Sequence, residues 1–148
     1  MAMEITISRF SELDTDTLYN ILGLRMSVFI VEQNCPYMDI DGRDKGSYHM
    51  VCRDGREIKG YLRIMMPGTF FREASIGRVL VTDRGKGIAT EMVRSAMGFI
   101  RDVLHEDVIR LESQAYAVGL YEKLGFVKDG DEYLEDGIPH IQMVYRIR

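Results

Sequence analysis

The chain has 148 residues, enough for one domain (1–148) with a substantial core. It is 46% hydrophobic and 28% charged with a formal net charge of −4. This is an ordinary globular composition, and it argues against nucleic acid as the main partner, because neutralising phosphates needs a basic face. No apolar run approaches the ~20 residues of a membrane span, so no membrane partner is expected. Met1-Ala2-Met3-Glu4-Ile5 lacks a basic region followed by an apolar core, so no signal peptide is expected. Two cysteines, Cys35 and Cys52, are too few for a disulfide framework, and a reduced, cytoplasmic setting is the expectation. His49, His105 and His140 are scattered without zinc spacing, so no metal is expected.

Met3 to Arg9 alternates apolar and polar residues and predicts a first strand. Asp14 or Asp16 suits a helix N-cap, and Leu18, Ile21, Leu22, Met26, Phe29 and Ile30 then follow helical spacing to about Glu32. Asn34-Cys35-Pro36 stops that helix, since the residue before a proline disfavours the helical region. Pro36 to Gly46 has no periodicity. Its Asp39-x-Asp41-Gly42-x-Asp44 spacing suggests calcium, but the bidentate glutamate and second helix of an EF-hand are missing, so an Asp-rich turn is the simpler reading. Tyr48 to Arg53 and Ile58 to Met66 read as a hairpin around Asp54-Gly55, closed by Pro67-Gly68.

Ser75 to Val81 is a short apolar strand, followed by the turn Thr82-Asp83-Arg84-Gly85-Lys86-Gly87. Ile88, Met92, Ala96, Phe99, Ile100 and Val103 then mark one face of a long helix, about Lys86 to Leu104. Asp107 to Glu112 reads as a buried strand, Ala115 to Leu124 as a shorter helix with Gly125 as its C-cap, and Phe126-Val127 as the start of the next strand. Tyr133 to Ile138 and Ile141 to Ile147 read as strands around Pro139. The order predicts an α/β fold whose central mixed, mostly antiparallel sheet contains one parallel strand pair, reached by a right-handed crossover and able to splay, with helices on its faces. Ligands collect at the strand ends of such a crevice.

A strand feeding a glycine turn at a helix N-terminus makes an anion site from free amides and the helix dipole. Three readings compete for the anion. Gly85-Lys86-Gly87 does not fit a Walker A loop. A dinucleotide fingerprint half-fits: Gly85-x-Gly87-x-x-Thr90 with Glu112 about twenty residues on, but the third glycine is missing and an antiparallel meander precedes the unit. Third, Arg84-Gly85-Lys86-Gly87-Ile88-Ala89 resembles the [Arg/Gln]-x-x-Gly-x-[Gly/Ala] segment with which the GNAT acetyltransferase superfamily wraps the pyrophosphate of acetyl coenzyme A. Gln114-Ala115-Tyr116-Ala117-Val118-Gly119-Leu120-Tyr121-Glu122-Lys123-Leu124-Gly125-Phe126 is similar to the family pattern ending Tyr-x-Lys-Leu-Gly-Phe, at the expected distance after the long helix. Leu24 to Tyr37, Asp39 to Asp44 and Tyr133 to Ile141 resemble the ElaA-like branch of the superfamily, so the likeness spans nearly the whole chain.

The resemblance implies an acetyl-CoA-dependent N-acetyltransferase that moves an acetyl group to a primary amine by direct attack in a ternary complex. A non-catalytic acyl-CoA-binding module and, less fittingly, a dinucleotide-binding protein are the alternatives. It implies cofactor contacts from Val79, Leu80, Val81, Arg84, Gly85, Lys86, Gly87, Ile88, Ala89 and Gln114, and a role for Tyr121 in protonating the departing thiolate. The link from Val81 to Arg84 is shorter than is usual in the family, and Gln114 stands where many members carry Asn. Glu32, His49, Glu73 and His140 are base candidates by type, with a water chain as the alternative. Glu32, Asp39, Asp41 and Asp44, with Glu132, Glu135 and Asp136, suggest an acidic acceptor side that steers a cationic amine, while Arg25 and Arg78 could tie some of these carboxylates into structural ion pairs. The acceptor, a small amine or a peptide or protein amine, and the oligomeric state stay open, a homodimer among the options.

Overall fold

The computed structural model describes residues 3–147. Met1, Ala2 and Arg148 lie outside the described residues, and with them the first two positions of the segment read for a leader. Four strands, β1 (Met3–Arg9), β2 (Tyr48–Asp54), β3 (Glu57–Met65) and β4 (Ser75–Val81), form an antiparallel meander in that order. In a second antiparallel sheet, β5 (Val108–Gln114) pairs with one edge of β8 (Ile138–Arg146), and β6 (Val127–Lys128) and β7 (Tyr133–Glu135) pair with β8 as well. The helices are α1 (Thr15–Arg25), which continues as a π-helical segment (Met26–Glu32), then α2 (Ile88–Asp102) and α3 (Val118–Lys123). No helix of the described residues is long and apolar enough to cross a membrane.

The expected parallel pair is reduced to one point. Ala74 bridges Ile109 in parallel, and the Arg110 amide donates to the Ala74 carbonyl at 2.9 Å. Beyond that bridge β4 and β5 run on without ladder pairing among the described residues, so the predicted mixed sheet is two antiparallel sheets hinged at Ala74–Ile109. The wedge between β4 and β5 therefore opens toward their C-terminal ends.

The core explains why the wedge holds its shape. Ile88, Met92, Val93, Ala96 and Ile100 of α2 are buried in one cluster with Met50, Leu62 and Ile64 of the meander and Leu111 and Met143 of the second sheet. Burying each such side chain is worth about 1.5–3 kcal/mol. Contact is close enough that a Cβ at Gly60 on β3 would lie 2.4 Å from the Met92 sulfur and 3.3 Å from the Leu80 carbonyl oxygen. One core therefore spans both sheets, and α2 packs against both.

Asp14 is the α1 N-cap, its carboxylate accepting from the Thr17 amide at 2.7 Å. The helical run does end at Glu32, but its apolar face differs from the expected one. Met26 is 46% exposed, whereas Arg25 is wholly buried alongside Ile21 and Phe29. The widened π turn begins directly after Arg25. Such segments are frequent at functional sites.

Candidate active site

Strand β4 carries a bulge at the mouth of the wedge. Tyr61 opposes Leu80 and Arg63 opposes Gly77, so Arg78 and Val79 together face Leu62. Arg78 takes a left-handed conformation, φ +53°, uncommon for a residue with a side chain. A bulge of this kind breaks the ladder and leaves backbone groups unpaired at a chosen point. After the strand, Gly85 (φ +77°) and Gly87 (φ +76°) turn the chain into α2, with Gly87 at the N-cap. Both left-handed glycines follow the short link from Val81 to Arg84, and the first amides of α2 are left without intrahelical acceptors.

A cleft runs along this turn, lined by Val79 to Val81, Asp83 to Thr90, Phe29, Leu120 and Tyr121. All the sequence-predicted cofactor residues except Gln114 line it. The cleft shares Val79 and Tyr121 with a second pocket, which Glu112, Gln114 and His140 also line. Tyr121 thus sits where the two meet. It is 6% exposed, stacked edge-on against Phe126 with ring centroids 5.8 Å apart, and its hydroxyl has no hydrogen-bond partner among the described residues. Burial pushes its phenol well above the ordinary tyrosine range, so it stays protonated at neutral pH.

Two straps cross the cleft from the π-helical end. Arg84 pairs with Glu32 at 2.5 Å, both side chains largely exposed. The Gln33 and Gln114 amides exchange hydrogen bonds at 3.2 and 3.3 Å. Gln114 is engaged across the wedge by a side chain that the sequence alone did not suggest.

The Asp-rich loop is an ion-pair cluster, not a free turn. Arg25 donates from Nε to Asp39 (2.9 Å) and from Nη1 to Asp44 (2.7 Å). Arg63 forks onto Asp41 (2.9 and 2.5 Å) and reaches Asp44 at 3.0 Å. Arg78 binds Asp39 at 2.8 Å and lies over the Tyr37 ring. Burial alone would raise the Asp41 and Asp44 carboxyls, but hydrogen bonds and charge from Arg63 and Arg25 outweigh it and hold both below the usual carboxylate range. The expectation that Asp39, Asp41 and Asp44 steer a cation is corrected: their charge is cancelled inside the protein. Arg25 and Arg78 do tie carboxylates down, and Arg63, buried on β3, is a third partner that the sequence reading missed.

The opposite wall is built differently. On β5, Ile109, Leu111 and Ser113 point into the core, so Glu112 and Gln114 face the groove. The Tyr133 hydroxyl donates to Glu112 at 2.5 Å. Burial and then the carboxylate raise the Tyr133 phenol, so it too stays protonated. His140, stacked on Tyr133, completes this wall. From sequence, Glu112 entered only as the acidic member of the half-fitting dinucleotide fingerprint and Tyr133 not as a site residue, although the period-two alternation of β5 already turns Glu112 away from the core.

The four base candidates separate cleanly. His49 is buried, with its Nε2 donating to the Asp44 carbonyl (2.8 Å) and its Nδ1 accepting from Tyr61 (2.7 Å); a carbonyl only accepts, which fixes this tautomer. Burial also pushes its imidazole below the ordinary range. Glu73 pairs with Arg110, and Glu32 with Arg84. His140 alone of the four lines the pocket beside Tyr121.

Two antiparallel sheets splayed from one parallel bridge, a bulged strand at the wedge and a glycine turn at a helix N-terminus define an acyltransferase that uses acyl-CoA. The acetyltransferase (GNAT) domain profile matches residues 21–147. The chain belongs to the GNAT acetyltransferase family. It is 35% identical to the protein ElaA of Escherichia coli over 141 residues, covering 93% of this chain and 92% of ElaA. The crystal structure of Escherichia coli ElaA superposes with a TM-score of 0.90 at 33% identity, over 97% of this chain and 99% of that one. An acyl-CoA N-acyltransferase from Pseudomonas aeruginosa superposes with a TM-score of 0.89 at 32% identity, over the same shares. A UPF0039 protein from Synechocystis is 36% identical over 151 residues, 98% of this chain and 97% of that protein.

Proposed function

We propose that this protein is an acetyl-CoA-dependent N-acetyltransferase acting on a primary amine, by direct attack within a ternary complex. The amides from Arg84 to Ala89 receive the pyrophosphate, where free N–H groups and the α2 dipole favour negative charge. Val79 to Val81 hold the pantetheine arm as a neighbouring strand would. An amide freed by the β4 bulge polarises the thioester carbonyl, a donor aimed where charge develops. Tyr121 gives its proton to the departing thiolate. Arg84 and Lys86 add charge at the phosphates, Arg84 after exchanging Glu32 for them, and Gln114 borders the arm near the thioester. The setting is cytoplasmic, which suits the free thiols of Cys35 and Cys52.

The observation that carries this reading is the position of the Tyr121 phenol: buried, without a hydrogen-bond partner among the described residues, and lining both the cofactor cleft and the pocket beside the bulge. The test is thermal and kinetic. Ligand at ~100 times Kd stabilises by about 2.7 kcal/mol, so acetyl-CoA raises the melting temperature and NAD does not. Thiol is then released when a panel of primary amines is added. Tyr121→Phe lowers kcat by about 10²-fold or more with acetyl-CoA binding intact. Binding without thiol release would make the chain an acyl-CoA-binding module, and no shift with acetyl-CoA would end the proposal.

A further inference from the structure

His140 sits on β8, with Gln114 of β5 opposite it on one side and Tyr133 of β7 on the other. Pairing along both edges fixes its backbone, and the Tyr133 ring stacks on its imidazole with centroids 6.3 Å apart and planes 26° from parallel. Its Nδ1 lies 2.7 Å from the Ile138 carbonyl. Since a carbonyl only accepts, Nδ1 carries the hydrogen, and the neutral ring keeps its lone pair on Nε2. No partner for Nε2 exists among the described residues, and His140 lines both the pocket beside Tyr121 and the groove that leads into it.

Glu112 opposes Gln142 while Gln114 opposes His140, so Glu112 and His140 are diagonal neighbours on one face of the β5–β8 pair. One Glu112 oxygen, Oε2, accepts from Tyr133, which leaves Oε1 for a ligand. A carboxylate held by a phenol keeps its full negative charge. Beside it stands an imidazole with its lone pair outward, across the pocket from a phenol with a proton to give.

Resting on the acetyl-transfer reading, we infer that His140 is the proton acceptor for a cationic primary amine whose ammonium docks on Glu112, with Tyr133 a positioning residue that aims both. The ammonium gives one proton to His140 Nε2, and the freed lone pair forms the C–N bond at the thioester carbonyl. The C–S bond breaks, and sulfur takes the Tyr121 proton. The nitrogen sheds its second proton to solvent, solvent restores the Tyr121 phenol, and His140 returns its proton to solvent. Ammonium and acetyl-CoA thus become amide, free thiol and one proton.

The charged groups that share the groove with this histidine are Glu112 of β5, Glu135 of β7 and Asp136 in the following turn, with Arg78 of β4 and Arg43 of the loop. Asp41 is spent on Arg63; Tyr37 and Tyr121 line these pockets and Tyr133 stacks on the imidazole, all three neutral phenols at neutral pH. An imidazole base makes kcat/KM climb with pH, because only the neutral form accepts a proton.

The test uses the full chain, acetyl-CoA and n-butylamine, with thiol release followed across pH. His140→Gln binds acetyl-CoA like the parent, loses about 10²-fold or more in kcat/KM and flattens the climb with pH. Added imidazole restores turnover to His140→Ala. Glu112→Gln raises the KM for n-butylamine by about tenfold, the loss of one charge-assisted contact, with a smaller change in kcat. A His140→Gln protein that keeps the parental pH profile, whether or not its rate falls, overturns the inference, as does a His140→Ala protein that imidazole does not restore. If the parent enzyme binds no acetyl-CoA, or binds it and releases no thiol with any amine, the acetyl-transfer reading itself falls and this inference with it.

Discussion

Two carboxylate-bearing walls flank the groove beside the β4 bulge. On the loop wall, Asp39, Asp41 and Asp44 meet the guanidinium groups of Arg25, Arg63 and Arg78, and five of these six side chains are at least 85% buried. On the second-sheet wall, Glu112 meets the hydroxyl of Tyr133. A guanidinium cancels the charge it binds and fixes both partners through several donors at once. A phenol orients a carboxylate without neutralising it. Similar side chains therefore do different work: the first set holds the loop and π-helical end in place, and the second presents charge to whatever enters.

Breaking the loop wall should be the most damaging change. Arg25→Met removes the cation that binds both Asp39 and Asp44 and leaves carboxylates buried without their main partner, which costs about 3–5 kcal/mol. Urea denaturation reads this as a lower midpoint with an unchanged slope. Next in size is the response to acid. Asp41 and Asp44 have depressed pKa values in the folded protein. The stability they contribute is complete above the ordinary carboxylate value, near ~3.9, and is lost as pH falls through their lower folded values. Asp41→Asn should flatten that acid loss while lowering stability at neutral pH. Glu112→Gln should leave the urea midpoint near that of the parent, since an amide oxygen still accepts from Tyr133. A large loss of stability there would make the second wall a structural cluster like the first.

Much of this contrast was hidden in the sequence for a definable reason. Local pattern carried the elements: the alternation of Met3 to Arg9, the Asp14 cap, the α2 stripe and the Gly85-Lys86-Gly87 turn all depend on neighbours within a few residues. It also carried the likeness of Arg84 to Ala89 and Gln114 to Phe126 to the family's motifs. Charge cancellation does not work locally. Arg63 is 22 residues from Asp41, and Arg78 is 39 from Asp39, so neither the silence of the loop carboxylates nor the burial of Arg25 on an apolar helix face could be read from spacing. The π turn and the β4 bulge are equally invisible in composition, because each arises where tertiary contacts overrule the regular repeat. Glu112 was within reach, since the inward triplet Ile109, Leu111 and Ser113 leaves it facing the groove, but its meaning needed Tyr133 from 21 residues away.

The Glu32–Arg84 pair tests the contrast at its weakest point. It joins a carboxylate to a guanidinium, as on the loop wall, but the side chains are 48% and 64% exposed, so water and salt screen it. Such a pair adds little to stability, and its arginine stays available to a better anion. A pyrophosphate carries more charge than one carboxylate, so it should draw Arg84 away from Glu32. Glu32→Gln removes the competitor. The melting temperature of the free protein should hardly move, and acetyl-CoA should bind tighter by about two- to fivefold, the reach of a contribution below ~1 kcal/mol. The gain should shrink as salt rises. Weaker binding in Glu32→Gln, or a gain indifferent to salt, would mean that the strap holds the π-helical end closed over the cofactor rather than competing with it.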